Sequence, residues 1–100
     1  MATTKDQLLY ILDRLGETQG ITYKRMMGEY LLYKDGTLFG GVYDGRLLIK
    51  PVKAAVDIMG EARFELPYPG AKPMLLIPKT DDRKALRSIV EAACEALSQK

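Results

Sequence analysis

The sequence predicts an α+β fold in two layers, with helices covering an antiparallel sheet of about five strands. Two Asp-Gly pairs, Asp35-Gly36 and Asp44-Gly45, separate short strand-like segments, and this dipeptide is typical of β-hairpin turns. Apolar residues recur at helical spacing near both ends of the chain. Because the strands are grouped and joined by hairpins, they are expected to pair antiparallel, with the helices on one face.

The first helix is predicted over residues 4–15. Thr3 or Thr4 can cap its start, and Gly16 can end it. Its apolar residues repeat every three or four positions, which is the spacing of one helix face: Leu8, Leu9, Ile11, Leu12 and Leu15.

Three or four strands are predicted next, over the segments Ile21–Arg25, Glu29–Lys34, Thr37–Tyr43 and Arg46–Lys50. The two Asp-Gly pairs join the last three strands, because a type I′ turn needs positive φ at both central positions. Gly28 separates the first two and is compatible with either a bulge or a turn.

The second half of the chain is predicted to add a short helix and a buried strand. Pro51 ends the preceding strand because it has no N–H to donate, and the helix covers Val52–Met59, with Gly60 as its end. The prolines of Pro67–Pro73 exclude a helix and favour an extended, turning connection. The apolar run Met74–Ile77, which Pro78 follows, is predicted to be the buried strand.

A final helix is predicted to begin at Thr80, whose hydroxyl can cap it. Asp81 and Asp82 favour the positive end of the helix dipole. One face of this helix is apolar, which predicts that it packs on the sheet: Leu86, Ile89, Val90, Ala93, Cys94 and Leu97.

Composition predicts one globular domain, residues 1–100, in the cytoplasm. Hydrophobic residues make up 47% and charged residues 28% of the chain, as in ordinary globular proteins. The longest apolar run, Leu8–Leu12, is far shorter than a membrane span, and the charges at Lys5 and Asp6 do not fit a signal peptide. A lone cysteine, Cys94, permits no internal disulfide and agrees with a reducing compartment.

The residue inventory predicts that the chain is not an enzyme and needs no metal or cofactor. It contains no histidine, which is the usual general base and a favoured metal ligand. Cys94 lies on the apolar face of a helix, where burial suppresses the thiolate. Glu61 and Glu65 are better explained as solvated loop residues than as an acid/base pair, and the glycines match no phosphate-binding loop.

Two observations favour binding functions. Basic residues and tyrosines alternate along the strands, which is compatible with single-stranded nucleic acid and also with ordinary solvent-facing strand positions. In addition, Leu31 and Tyr33 point to one face of the sheet while Tyr30 and Leu32 point to the other. Both faces are thus apolar, so the face without helices is predicted to be an exposed patch for a partner or a second copy, unless the helices wrap around both faces.

Five features of the sequence carry a resemblance to a known family. Residues 25–30 read Arg-Met-Met-Gly-Glu-Tyr, residues 32–36 read Leu-Tyr-Lys-Asp-Gly, and a strand then ends at Lys50-Pro51. The pair Pro67-Tyr68 follows, before an apolar strand closed by Pro78. In this order, and over essentially the whole chain, these segments resemble the N-terminal domain of TfoX (Sxy) proteins, which regulate natural competence in bacteria.

The resemblance implies the element order α-β(3)-α-β(2)-α, similar to secretion-chaperone-like domains. It also implies a role in competence regulation, where the full-length regulator acts with a cyclic-AMP-responsive activator at promoters. Full-length regulators continue into a C-terminal domain, whereas this sequence stops at Lys100. We therefore expect a standalone N-terminal domain, and the resemblance supplies no catalytic residues.

The sequence thus predicts a non-enzymatic regulatory module that binds another protein, such as a transcription activator, and that can form a homodimer. The alternative is a nucleic-acid-binding domain that uses the basic residues and tyrosines of the sheet. The predicted interaction surface comprises Arg25, Met26, Tyr30, Tyr33, Lys50, Tyr68 and Lys72.

Overall fold

The computed structural model describes residues 3–16, 19–60, 62–77 and 83–98. These residues form three helices, which are α1 (Lys5–Arg14), α2 (Lys53–Met59) and α3 (Arg83–Ser98). They also form six strands: β1 (Ile21–Met26), β2 (Glu29–Lys34), β3 (Thr37–Tyr43), β4 (Arg46–Ile49), β5 (Phe64–Glu65) and β6 (Met74–Ile77). The α+β prediction is confirmed, with four strands before α2 instead of the three that the resemblance implies.

The six strands form one antiparallel sheet in the order β1-β2-β3-β4-β6-β5. The first four strands are consecutive hairpins, so each lies beside its sequence neighbour. After α2 the chain returns to the sheet, and β6 pairs with β4 through Leu48↔Leu76. The two-residue strand β5 pairs with the other side of β6.

All three hairpins of β1–β4 are closed by the same kind of turn. Asp35 and Asp44 have φ of 50° and 52°, and each is followed by a glycine with positive φ. Met27 and Gly28 repeat the pattern with φ of 51° and 83°. Gly28 therefore belongs to a third type I′ turn, which left-handed backbone at both positions defines, and not to a bulge.

A bulge does occur, but in β3. Leu32 pairs with Gly40 whereas the next residue of β2, Tyr33, pairs with Leu38, so Phe39 is an extra residue between them. A bulge redirects the side chains around it. As a result Phe39 is fully buried in the core, while Leu38 lies on the opposite face of the sheet.

The hydrophobic core lies between the helices and one face of the sheet. Leu8, Ile11 and Leu15 contribute from α1 and its end, and Ala55 contributes from α2. The predicted apolar face of α3 is confirmed, since five of its six residues are buried and Leu97 packs against them. The sheet contributes Tyr30, Leu32, Phe39, Val42, Leu47, Ile49, Leu75 and Ile77.

The structure shows which of the two threonines at the start of α1 caps the helix. Thr4 is the N-cap: its side chain accepts a hydrogen bond from the Gln7 backbone, and the Gln7 side chain accepts one from Thr4. Thr3 instead hydrogen-bonds to Glu29 at the start of β2. The predicted cap of the last helix, at Thr80 with Asp81 and Asp82, lies outside the described residues.

The second face of the sheet, which we call the outer face, carries Leu31, Tyr33, Leu38, Tyr43, Leu48, Met74 and Leu76, as the strand registers show. Sequence alone left open whether this face is an exposed patch or is covered in part, and the structure shows partial cover. Leu48 is inaccessible to solvent and Tyr43 is 6% exposed, and the other five residues are half-buried. Part of the cover comes from the proline-rich segment 67–73, and the end of α3 contributes Leu97.

Candidate functional site

A groove of about 850 Å³ lies where the outer face meets segment 67–73. Leu31, Leu38 and Tyr43 belong to its sheet side, and Pro67, Tyr68 and Ala71 belong to the segment. Further lining residues come from the start of α2, from β6 and from the end of α3: Val52, Met74 and Leu97. We call this concavity the outer groove.

The segment's backbone brings Tyr68 to the groove. Pro67 is buried, Gly70 has a φ of 86°, and the Ala71 N–H donates to the Tyr68 carbonyl at 3.2 Å. This tight turn leaves the Tyr68 ring 6.4 Å from the ring of Tyr43 and tilted by 52°. Tyr68 keeps 55% of its surface exposed, so one tyrosine is held in place while the other is available to a ligand.

The charged residues that line the groove in the described part of the chain are all basic. Lys50 and Lys72 line it, and no Asp or Glu does so among the described residues. Tyrosine rings combine a large apolar area with a polar hydroxyl. An apolar floor with two tyrosines and two lysines therefore suits a ligand that is apolar and carries a carboxylate.

Burial raises the pKa of Tyr43 above its usual 10.0, and Tyr68 contributes to the rise. A raised pKa means that the folded state favours the neutral phenol, so this contribution to stability is present below pH 10.0 and is lost as the pH rises through the folded-state value. We expect wild-type protein to lose more stability above that pH than Tyr43→Phe. Urea unfolding at a series of pH values measures this.

Tyr10→Phe is the matched control for this experiment, because Tyr10 is 42% exposed on α1. Its unfolding is measured at the same pH values, to show what removal of an exposed hydroxyl does by itself. Equal curves for wild type and Tyr43→Phe would contradict the assignment of the effect to burial of the Tyr43 hydroxyl.

The predicted surface residues divide between the two faces of the sheet. Tyr68, Lys50 and Lys72 line the outer groove. Tyr33 and Met26 have outer-face positions in the register, with Met26 on the strand furthest from the groove.

Two of the predicted residues lie on the helix side of the sheet instead. Arg25 is paired with Tyr30 there, and its side chain is exposed. Tyr30 is only 7% exposed and belongs to the core, with its ring 5.7 Å from that of Tyr23. We therefore remove Tyr30 from the candidate surface. Alternation places it opposite Leu31 and Tyr33, but only the position of the helices shows which face is covered.

Sequence reasoning missed several residues of the groove. Val52 is the N-cap of α2 and Leu97 lies near the end of α3, and both reach the groove as well as the core. Leu31, Leu38 and Met74 could have been assigned to it from strand alternation combined with the turn positions. No local pattern could have located Val52 or Leu97.

The side chains considered above as possible reactive groups are buried or ion-paired where the structure describes them. Cys94 is buried, and burial raises the pKa of its thiol. Glu65 forms an ion pair with Arg46, and Glu61 lies outside the described residues. In the described part of the chain no three His, Cys, Asp or Glu side chains are grouped as a metal site. That the chain is not an enzyme stays a prediction.

Several basic side chains are paired with carboxylates. Lys34 contacts Asp35 at 3.3 Å, Arg83 contacts Asp13 at 3.0 Å, and Arg87 contacts Glu91 at 3.5 Å. These pairs occur at different places in the fold.

None of the helices in the described residues is long and apolar enough to span a membrane.

Comparison with known proteins identifies the family. The TfoX N-terminal domain family matches residues 13–97, a range that includes β1–β6, α2 and the outer groove. The chain is also 36% identical over 72 residues to a protein of Spirochaeta aurantia described as an uncharacterized 12.7 kDa protein in the trpE 5′ region. That match covers 72% of this chain and 63% of the relative. No solved structure matches. Since the family match extends over nearly all of the fold, the chain belongs to the TfoX N-terminal domain family.

Proposed function

We propose that this chain is a non-enzymatic regulatory module that binds a segment of another protein in the outer groove, in the transcriptional regulation of DNA uptake. The observation that carries the proposal is the groove itself, with Tyr68 exposed above an apolar floor. Ligand sites in proteins are typically concave and mostly apolar, with a few polar groups that orient the ligand.

The chemistry of the groove favours a peptide segment with apolar side chains and a carboxylate. Tyrosines are frequent among residues that dominate binding energy. Lys50 and Lys72 can each pair with a carboxylate at the rim. Segment 67–73 contains prolines and a tight turn, so little of its conformational freedom remains to be lost on binding.

Family membership supports the regulatory part of the proposal. The chain belongs to the TfoX N-terminal domain family, and we carry over the competence role that the resemblance implies, so a transcription activator is our first candidate partner. The chain spans 63% of the length of the Spirochaeta aurantia relative.

A nucleic-acid function is less well supported by the surface. Lys34, Arg46 and Arg83 have carboxylate partners, and the described cations do not converge on the groove except at Lys50 and Lys72. Nucleic-acid sites instead combine a continuous basic surface with stacking residues. A protein partner fits the apolar lining of the groove better.

Replacing Tyr68 with alanine tests the function. We expect Tyr68→Ala to weaken binding to the partner about tenfold or more, as loss of a central aromatic contact does. The purified candidate activator is titrated with labelled wild-type and variant chains by fluorescence anisotropy, and lysate capture extends the search to other bacterial proteins. Tyr10→Ala is the matched control, since Tyr10 is exposed on α1 away from the groove.

Three results would contradict the proposal. One is equal binding by Tyr68→Ala and Tyr10→Ala, and another is the absence of any protein that distinguishes them. The third is tight binding to labelled duplex DNA at about 50 mM salt, which would favour the nucleic-acid function instead. A low salt concentration is used because binding through phosphate contacts weakens as salt rises.

Sedimentation equilibrium also tests the predicted homodimer: a mass of 11.2 kDa at every concentration would exclude self-association as the use of the groove.

A further inference from the structure

We propose that the free edge of β1 binds an extended, acidic segment of another protein, which adds to the sheet as a further antiparallel or parallel strand. This surface is separate from the outer groove, so the inference goes beyond the proposed function. Addition of a strand to an exposed sheet edge is a common mode of peptide recognition.

The position and shape of β1 make such an addition possible. It is the terminal strand of the sheet, and in the described part of the chain only β2 pairs with it. All six of its residues pair with β2 in register and without a bulge. The opposite edge is different, because β5 has only two residues. The β1 edge is therefore the longer and more regular template.

The ladder shows which backbone groups are available. The two-residue turn at Met27-Gly28 makes Met26 and Glu29 the first hydrogen-bonded pair. At the other end the Asp35 N–H donates to the Gly20 carbonyl at 2.9 Å. Hydrogen-bonded and non-bonded positions alternate in antiparallel pairs, so the even-numbered residues of β1 bond to β2. The N–H and C=O groups of Ile21, Tyr23 and Arg25 consequently point away from the sheet.

The charges along this edge select an acidic partner. β1 carries Lys24 and Arg25 and has no carboxylate, and Lys5 of α1 hydrogen-bonds to the Tyr23 hydroxyl at 2.6 Å. Lys24 has an outer-face position, whereas Arg25 has a helix-side position, so positive charge borders the edge on both faces. The carboxylate of the nearby Glu29 is directed elsewhere: its oxygens accept hydrogen bonds from Thr3 and Asp44, and within the described residues it forms no ion pair with Lys24 or Arg25.

The same charges disfavour a second copy of this chain as the occupant. An antiparallel pair of β1 strands centred on Tyr23 would place the two Lys24 side chains at diagonal positions, about 7–8 Å apart. The Arg25 side chains would add two more positive charges to the same short ladder. Like charges across strands are destabilising, whereas opposite charges stabilise the pair. Glutamates at alternating positions of a partner strand would meet Lys24 or Arg25.

The first experiment uses a fluorescein-labelled eight-residue peptide that alternates valine and glutamate, with a valine–lysine peptide as the charge control. We expect the valine–glutamate peptide to bind at least tenfold more tightly at low salt, and the difference to shrink as salt rises. NMR of the full chain should show slowed exchange of the Ile21, Tyr23 and Arg25 amides when the peptide is bound. Those of Thr22 and Lys24 already bond to β2 and should change little.

Two variants at one position isolate the backbone contribution. Tyr23→Pro removes an N–H that points away from β2, and edge positions of this kind tolerate proline. Tyr23→Ala also removes the ring and its contacts with Lys5 and Tyr30, but keeps the N–H. We expect Tyr23→Ala to bind the valine–glutamate peptide and Tyr23→Pro to lose at least tenfold in affinity. Circular dichroism confirms that both variants are folded.

Further variants separate charge and location. Lys24→Glu combined with Arg25→Glu should reverse the peptide preference, while Tyr68→Ala in the outer groove should leave it unchanged. The inference is overturned if the valine–glutamate peptide does not bind at millimolar concentration, if both peptides bind equally, or if Tyr23→Pro and Tyr23→Ala bind alike. Dependence of peptide binding on Tyr68 would likewise overturn it, because the groove and not the edge would then be the site.

Discussion

Replacing Gly40 with alanine is expected to lower the free energy of unfolding by about 3 kcal/mol, at the upper end of the usual cost of overpacking. A Cβ at this position would lie 2.2 Å from the Leu48 carbonyl oxygen and 2.9 Å from the Cα of Ile49. Both are backbone atoms of β4, and Gly40 pairs directly with Ile49. Relief of the clash would therefore require β3 and β4 to separate in the middle of the sheet. Urea unfolding followed by circular dichroism measures the loss.

Gly36→Ala is the control for this prediction, because Gly36 lies in the turn before the same strand. Its φ is +83°, but nothing lies within 4 Å of a Cβ placed there. Only backbone strain should result, at about 1–2 kcal/mol. If both alanine variants lost the same stability, the close approach of β3 to β4 would not be the reason for glycine at position 40.

Glu29→Ala is expected to cost about 2–3 kcal/mol, since each hydrogen bond to a charged group contributes about 1.5–3 kcal/mol and the site is only partly buried. Its Oε1 accepts hydrogen bonds of 2.7 Å from both the N–H and the hydroxyl of Thr3. Its Oε2 accepts one of 3.0 Å from the Asp44 N–H. One side chain thus joins the segment before α1 to the turn between β3 and β4. Thermal and urea unfolding should both show the loss.

Two variants distinguish this network from a general effect of removing a carboxylate. Glu29→Gln keeps one carbonyl acceptor but turns an NH₂ group toward a donor, so we expect a loss smaller than that of Glu29→Ala. Glu91→Ala removes an exposed carboxylate whose partner is Arg87 one helical turn away, and such pairs contribute only about 0.3–0.5 kcal/mol. A negligible effect of Glu29→Ala would show that Thr3 and Asp44 find solvent partners of equal quality.

Local sequence patterns determined the element order and most of the strand boundaries. The Asp-Gly turns at residues 35–36 and 44–45 followed from the need for positive φ, which depends on only two residues. The run Met74–Ile77 and the helix end at Gly60 were also predicted correctly. Strand alternation separated Leu32 from Tyr33, and the structure places them on opposite faces. These features depend on backbone preferences and periodicity, which a short stretch of sequence contains.

Contacts between distant segments decided the rest. Tyr30 and Tyr33 are similar in sequence context, yet only the position of the helices buries one and leaves the other on the outer face. The groove exists because segment 67–73 lies against Tyr43, and Gly40 is required because β4 approaches β3 there. The pairing of β6 with β4 placed Leu76 beside Leu48. Each of these depends on distances between residues that lie on different strands, helices or loops, which no local preference encodes, so they became visible only once the sheet and its helices were assembled.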